Sequence, residues 1–273
     1  MTFCIGWCEM SIISKTPIVF ACGQLLDERC WEPQRTVFAD QRRLFVSDHR
    51  SDDTIAGMAK RLLASAPDQF LLMGHAMGGF IALEVMRQAP ERVKGLALLA
   101  TLANADGPAQ TERRMGYIRL VEEGRFEQVA EERIPMLLAP SRRSDPVLTS
   151  QIRAMAQDTG AEIFLRQQRA IMSRIDSRPS LGAITVPTLI LWGEEDGITT
   201  MTQQQDMLDG LSGARLEVLK GCGHLSTLEA PSEVNALLSA WMAGALGQPF
   251  SSRRTIAAPL AMALSLPKAT SRL

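Results

Sequence analysis

The chain contains few of the residues on which several classes of protein depend. Its 273 residues include three histidines, five cysteines and one tyrosine, and aromatic residues make up 5%. No two histidines have the spacing typical of a metal site, so we expect no metal. We expect no cofactor either. The cysteines are odd in number and form no C-x-x-C pair. This disfavours a disulfide framework and predicts a reducing compartment, the cytoplasm.

The sequence also lacks a long apolar run and an excess of charge of one sign. No apolar stretch reaches the roughly 18 residues needed to cross a bilayer, and residues 1–15 do not have the pattern of a signal peptide. The net charge of -1 argues against a nucleic-acid partner. The length and the 46% hydrophobic content suit one large domain with an inserted subdomain. We expect a small-molecule substrate as its partner.

An apolar run followed by a glycine-rich turn is the most informative stretch. Residues 70–73 are expected to be a buried strand, and the segment Gly74-His75-Ala76-Met77-Gly78-Gly79 comes next, followed by a helical pattern from Phe80. A strand, a sharp turn and a helix, with glycines at the first and fifth turn positions, are the context of a nucleophile elbow. In the motif G-x-S-x-G the residue at the apex is serine, whereas here it is Ala76.

Strand-like runs recur along the chain and alternate with helical patterns. They predict βαβ units and a parallel sheet, and their continuous apolar character predicts that both faces of the sheet are covered. The expected fold class is therefore α/β, with a mostly parallel twisted sheet and helices on both faces. The other predicted strands are residues 17–21, 43–47, 93–100, 187–192 and 216–219.

The composition changes after residue 102. Residues 103–181 contain no strand-like run, and four helical patterns (109–123, 126–138, 146–159 and 161–175) predict a helical cap between two strands. The core then comprises residues 1–102 and 182–246, and residues 247–273 form a C-terminal extension of unknown role. Methionines of the cap either line an adaptable apolar pocket or pack the helices together; they are Met115, Met136, Met155 and Met172.

Over about residues 16–246 the sequence resembles the α/β-hydrolase family. The elbow looks like the family's common G-H-S-M-G-G with alanine in place of serine, and Trp31, residues 54–59 and residues 223–231 are similar to small esterases of the family. In this family the nucleophile, acid and histidine follow one another along the chain. The resemblance implies that Ala76 holds the position of the nucleophilic serine, that Asp196 is the acid and that His224 is the base.

The resemblance also implies an oxyanion hole made of two backbone N–H groups. Cys22-Gly23-Gln24 follows the first strand, where the family usually has His-Gly-x or Pro-Gly-x, so the N–H of Gln24 is one expected donor. The N–H of Met77 is the other. Cys22 departs from the family pattern and is either a small buried residue or a reactive thiol.

Some neighbouring residues compete for the roles of acid and base. Glu194 and Glu195 directly precede Asp196, and either could replace it as the acid. His75 could act as the base, although at this position it normally packs under the edge of the sheet. His49 is expected to be a solvated loop residue.

Alanine has no nucleophilic atom, and loss of the serine of a triad lowers turnover by about a million-fold. The favoured hypothesis is a serine-type hydrolase of a small, mainly apolar carboxylic ester or related acyl compound, inactivated by an engineered Ser-to-Ala change at position 76. One alternative is a natural non-catalytic member that binds a ligand. Another is a lyase or cofactor-free oxygenase that uses the His224-Asp196 pair as a general base.

Overall fold

The computed structural model describes residues 16–245. Within this range, six strands form one sheet in the order β2-β1-β3-β4-β5-β6, and every neighbouring pair is parallel. The predicted parallel sheet is therefore confirmed, whereas the predicted C-terminal extension and residues 1–15 lie outside the described residues. The strands are β1 Ile18–Ala21, β2 Leu44–Val46, β3 Phe70–His75, β4 Val93–Leu99, β5 Thr188–Gly193 and β6 Arg215–Leu219.

Helices connect the strands, and short 3-10 turns occur at several of the junctions. Among residues 16–245 no helix combines the length and the apolar character needed to traverse a bilayer. The α-helices are α1 Glu32–Phe38, α2 Ile55–Ser65, α3 Met77–Gln88, α4 Pro108–Glu122, α5 Phe126–Leu137, α6 Pro146–Met172, α7 Met201–Gly210, α8 Ser226–Glu229 and α9 Pro231–Ala245.

The central strands bury side chains on both faces of the sheet. In β3, Leu71 and Met73 belong to a core cluster that contains Trp241 of α9 and Phe38 of α1. The alternate residues, Phe70 and Leu72, belong to a second cluster built on α2, α3 and α7. Because successive side chains of a strand point to opposite faces, this division confirms that helices cover the sheet on both sides, as the apolar strands predicted.

Helices α4, α5 and α6 lie between β4 and β5, where the four helical patterns were expected. Helix α6 is interrupted at Gly160, whose φ of 79° is not helical, so its two halves correspond to the two patterns predicted there. The cap methionines do not share one role. Met155 is fully buried among core residues, Met115 is 36% exposed and Met136 lines a cavity.

The turn between β3 and α3 brings backbone segments so close that side chains have no room. A Cβ on Gly74 would lie 2.4 Å from the carbonyl oxygen of Gly78, and a Cβ on Gly78 would lie 2.1 Å from that of Ala21. Both distances are shorter than any real contact, and backbone atoms cannot move aside as a flexible side chain could. The glycines therefore allow α3 to begin directly against β1.

We predict that Gly78→Ala destabilises the fold by about 3 kcal/mol or more, because the added methyl would overlap the backbone of β1. Urea unfolding followed by circular dichroism measures the effect. Gly116→Ala is the matched control. Gly116 lies within α4 with its nearest neighbour 3.9 Å from the added Cβ, so the higher helix propensity of alanine should stabilise the protein by up to about 1 kcal/mol. Equal effects of the two substitutions would contradict this account of the turn.

Candidate functional site

Ala76 is the apex of the turn between β3 and α3. Its φ of 51° and ψ of -113° are unusual for a residue with a side chain, and such a conformation persists only where the surroundings hold it. Here the N–H of Ala76 donates to the carbonyl of Leu99 at 2.9 Å, and the carbonyl of Ala76 accepts from the Thr101 hydroxyl at 2.8 Å and the Gly79 N–H at 2.9 Å. The elbow predicted from sequence is therefore present, with Ala76 at its tip.

The loops after β5 and β6 lie directly against each other. A Cβ on Gly193 would be 2.2 Å from the carbonyl oxygen of Gly223, so the two backbones are in contact at this point. The N–H of Glu195 donates to the carbonyl of Cys222 at 2.9 Å. This packing fixes the separation of the two loops that carry Asp196 and His224.

Asp196 and His224 form a buried pair at this junction. Nδ1 of His224 is 3.0 and 2.9 Å from the two carboxylate oxygens of Asp196, and the side chains are 4% and 0% exposed, respectively. Burial by itself raises the pKa of Asp196, but the charge and hydrogen bond of His224, with hydrogen bonds from Thr199 and Ile198, hold it below its usual value. Glu194 and Glu195 are exposed, so Asp196 is the carboxylate that orients the imidazole.

Thr199 supports this carboxylate and was not anticipated from the sequence. Its hydroxyl donates to Oδ2 of Asp196 at 2.5 Å and accepts from Nε1 of Trp192 at 3.0 Å. The backbone N–H groups of Ile198 and Thr199 donate to Oδ1 at 2.7 and 3.1 Å. These donors hold the carboxylate of Asp196 in one orientation and favour its charged form. Asp followed by Thr three residues later is a local signal that sequence reasoning could have used.

His75 lies under the edge of the sheet, as the sequence interpretation expected. Its Nε2 is 2.9 Å from the carbonyl oxygen of His224, and its ring is fully buried. Burial, together with the charge of His224, lowers the pKa of His75 to about 3. The ring is therefore neutral near pH 7, and it must carry its proton on Nε2 because a carbonyl oxygen can only accept. His75 thus ties the elbow to the loop that carries His224.

The expectation of a solvated His49 is wrong. This side chain is only 5% exposed, and its Nε2 accepts a 3.2 Å hydrogen bond from the N–H of Cys22. Burial lowers the pKa of His49 to about 4, so the ring is neutral and able to accept. Cys22 itself is 2% exposed at the end of β1, in agreement with the interpretation of a small buried residue.

The two expected oxyanion donors lie on opposite sides of Ala76 in the sequence and line one cavity with it. Met77 is the first residue of α3, and the first N–H groups of a helix have no partner within that helix. Gln24 follows β1 in a short loop. Within residues 16–245 neither N–H is used in a hydrogen bond, so both are free to receive a ligand oxygen.

The cavity above the elbow has a volume of about 80 Å³. Ala76, Met77, Gln24 and His224 line it, and the rest of the lining is mixed rather than mainly apolar. Its apolar part comes from Leu26, Phe80, Ala100, Leu102, Met136, Leu137, Ile171 and Ile198, and its polar part from Asp106, Gln110, Arg113, Arg114, Arg133, Arg174 and Thr199. Sequence reasoning missed the arginines because an arginine on an amphipathic helix is usually a solvated residue.

We predict that Asp196→Asn lowers the free energy of unfolding by about 1–3 kcal/mol at pH 7, because the buried imidazole loses its charged acceptor. The folded-state pKa of Asp196 is depressed, so its stabilising contribution is complete above the unfolded value of about 4 and is lost as the pH falls through the folded value. The deficit should therefore narrow below pH about 4. Urea titrations between pH 2.5 and 7 test this, with the exposed Asp209→Asn as control; a pH-independent deficit would contradict it.

Comparison with known proteins places this arrangement in a family. The model of the alpha/beta hydrolase family matches residues 18–237. RutD of Azorhizobium caulinodans, provisionally named a carbamate hydrolase, is 27% identical over 82% of this chain and 89% of its own length. The pimeloyl-[acyl-carrier protein] methyl ester esterase of Edwardsiella ictaluri is 25% identical over 82% of this chain and 92% of its own.

A solved structure has the same fold as this chain. The malate-bound thermophilic esterase of Thermogutta terrifontis superposes with a TM-score of 0.78 and 28% identity, covering 83% of this chain and 89% of the esterase. The relatives are hydrolases, and the superposition shows that the esterase has the same fold as this chain. The elbow, the parallel sheet and the family match over most of the sequence lead to one conclusion: the chain belongs to the alpha/beta hydrolase family.

Proposed function

We propose that this chain is built as a serine-type hydrolase of a small carboxylic ester or related acyl compound, with Ala76 at the position of the nucleophilic serine. One observation carries the proposal. The tip of the elbow and the ring of His224 line the same cavity, and that ring is held from behind by Asp196. This is the arrangement of nucleophile, base and orienting acid on which acyl transfer depends.

With serine at position 76, each part has a defined role. The serine oxygen attacks the acyl carbon while Nε2 of His224 takes its proton, and Asp196 stabilises the resulting imidazolium. The N–H groups of Gln24 and Met77 receive the oxyanion of the tetrahedral intermediate. His224 then returns the proton to the leaving alcohol. In the second half of the reaction water attacks the acyl-enzyme while His224 takes its proton, and His224 gives that proton to the serine oxygen as the acid product leaves.

The relatives support an acyl substrate but differ in the bond named. One is named for a carbamate and the other two are esterases. All three names denote attack by water on an acyl carbon bearing an oxygen or nitrogen leaving group, which is the chemistry of the proposed triad. Leu26, Phe80 and Leu137 supply apolar surface for the hydrocarbon part of such a substrate.

The favoured origin of Ala76 is an engineered replacement of serine. Serine adds a single oxygen to alanine, and Ala76 lines the cavity. The parts around the missing hydroxyl are complete: the imidazole is oriented, its carboxylate is fully buried and hydrogen-bonded, and two N–H groups are free. A protein that had no use for catalysis would be free to lose these parts. Their retention favours a scaffold that was active with serine.

We predict that Ala76→Ser raises the turnover of short aryl esters by about 10⁵- to 10⁶-fold over the alanine form, because it restores the nucleophile. Release of p-nitrophenol from acetate and butyrate esters measures the gain. His224→Gln added to the serine variant should remove almost all of it. The exposed Asp209→Asn, added in the same background, should leave it unchanged.

Two results would favour the alternatives. If the folded serine variant gains no activity on any ester, the protein is better described as a ligand-binding member of the family. If the alanine form itself converts a substrate and His224→Ala abolishes this, the His224-Asp196 pair acts as a general base without a covalent step, as in a lyase or cofactor-free oxygenase.

A further inference from the structure

The wall of the cavity carries more positive than negative charge. Four arginines line it, whereas Asp106 is the single acidic residue among the lining residues. Asp106 is shared between two of them: its Oδ2 is 2.6 Å from Nε of Arg114, and its Oδ1 is 2.8 Å from Nη1 of Arg174. These three side chains are largely buried and satisfy one another. The other two arginines are not part of this network.

Arg133 of α5 is one of the two arginines outside this network. Its Nη1 donates to Oε1 of Gln24 at 2.7 Å, and no carboxylate of residues 16–245 lies within ion-pair distance of its guanidinium. Burial, together with the charges of Arg114 and Arg113, lowers its pKa to about 10, so it stays protonated near pH 7. With one neutral acceptor among the described residues, this guanidinium has N–H donors left over, and Arg133 lines the cavity, where a ligand could accept from them.

Gln24 adds a second donor beside the first. This residue is only 8% exposed, and its Nε2 has no hydrogen-bond partner within the described part of the chain. A buried donor without a partner is unfavourable, and a ligand acceptor would remove that cost. The same residue accepts a hydrogen bond from Arg133 and carries the backbone N–H expected to be an oxyanion donor. The acceptor would therefore sit close to the reacting carbonyl.

We propose that Arg133, with Nε2 of Gln24 and the charge of Arg113 beside it, binds a carboxylate carried by the substrate. The substrates are then monoesters of short dicarboxylic acids, or related acyl compounds with a free carboxylate, rather than uncharged esters. This proposal rests on the proposed function, because the same cavity holds both groups. A carboxylate fits because its two oxygens match the planar fork of a guanidinium, and the adjoining Leu26, Met136 and Leu137 suit a short hydrocarbon chain.

The chain as it stands permits a direct test, because alanine at position 76 lets an ester bind without being cleaved. Isothermal titration would compare monomethyl glutarate with two uncharged analogues, dimethyl glutarate and the methyl ester in which an amide replaces the free acid. Hydrogen bonds to charged groups contribute about 1.5–3 kcal/mol, so we expect the monoester to bind at least about tenfold more tightly. This arm needs no variant, so it does not depend on whether a substitution folds.

Variants then locate the effect. Arg133→Gln should remove the preference for the monoester, and Arg133→Lys should restore only part of it because the fork is lost. Arg119→Gln is the matched control. Arg119 is on α4, is 55% exposed and pairs with Glu112, so its replacement should leave the preference unchanged. Equal binding of the charged and uncharged esters, or a preference that survives in a folded Arg133→Gln protein, would overturn the proposal.

Inorganic phosphate separates the two kinds of anion. Glutarate should displace the monoester at lower concentration than phosphate does, and the reverse order would overturn the choice of a carboxylate. The serine variant separates this inference from the function on which it rests. If that variant cleaves uncharged esters as readily as monoesters, the carboxylate site is wrong and the hydrolase stands. If it cleaves no ester while the alanine form binds monoesters through Arg133, the hydrolase is wrong and the carboxylate site stands.

Discussion

The close approach of the loops after β5 and β6 brings together Asp196 and His224, the two side chains proposed as acid and base. Asp196 and His224 are 28 residues apart in sequence, and their contact depends on the absence of a side chain at Gly193, where the two backbones meet. A parallel sheet brings the carboxyl ends of its strands to one edge, which is where such folds bind ligands. The glycine then reduces the separation to hydrogen-bond distance. At the elbow, Gly74 and Gly78 likewise allow backbone segments to lie in contact.

Two layers of hydrogen bonds hold the pair once it has formed. On the acid side, Trp192 donates to Thr199 and Thr199 donates to Asp196. On the base side, His75 donates to the carbonyl of His224 and so ties the elbow to the base. The side chains that orient Asp196 and His224 are therefore neutral donors, two of them from strands β3 and β5 and one from the loop after β5. Because these donors are uncharged, the negative charge of Asp196 acts mainly on the imidazole. The arginines of the cap give the cavity its positive charge.

Most of the fold was predictable from the sequence because its signals are local. The apolar strands, the glycine-rich turn and the break of α6 at Gly160 each follow from a few neighbouring residues, and the order of Ala76, Asp196 and His224 follows from their positions after strands. The burial of His49 was not predictable, because it depends on a contact with Cys22, 27 residues away. The position of Arg133 in the cavity depends on a contact across 109 residues with Gln24. Periodicity shows that a helix has a polar face but not what lies opposite it.

The interruption at Gly160 has a mechanical consequence for the cavity. Beyond it, the second half of α6 turns so that Oε1 of Gln167 accepts the backbone N–H of Leu25 at 3.1 Å, while the neighbouring Gln168 accepts from Arg114. The helix thus braces the loop of Gln24 and one arginine of the wall at the same time. A displacement of this half of the helix would therefore disturb the loop of Gln24 and that arginine together.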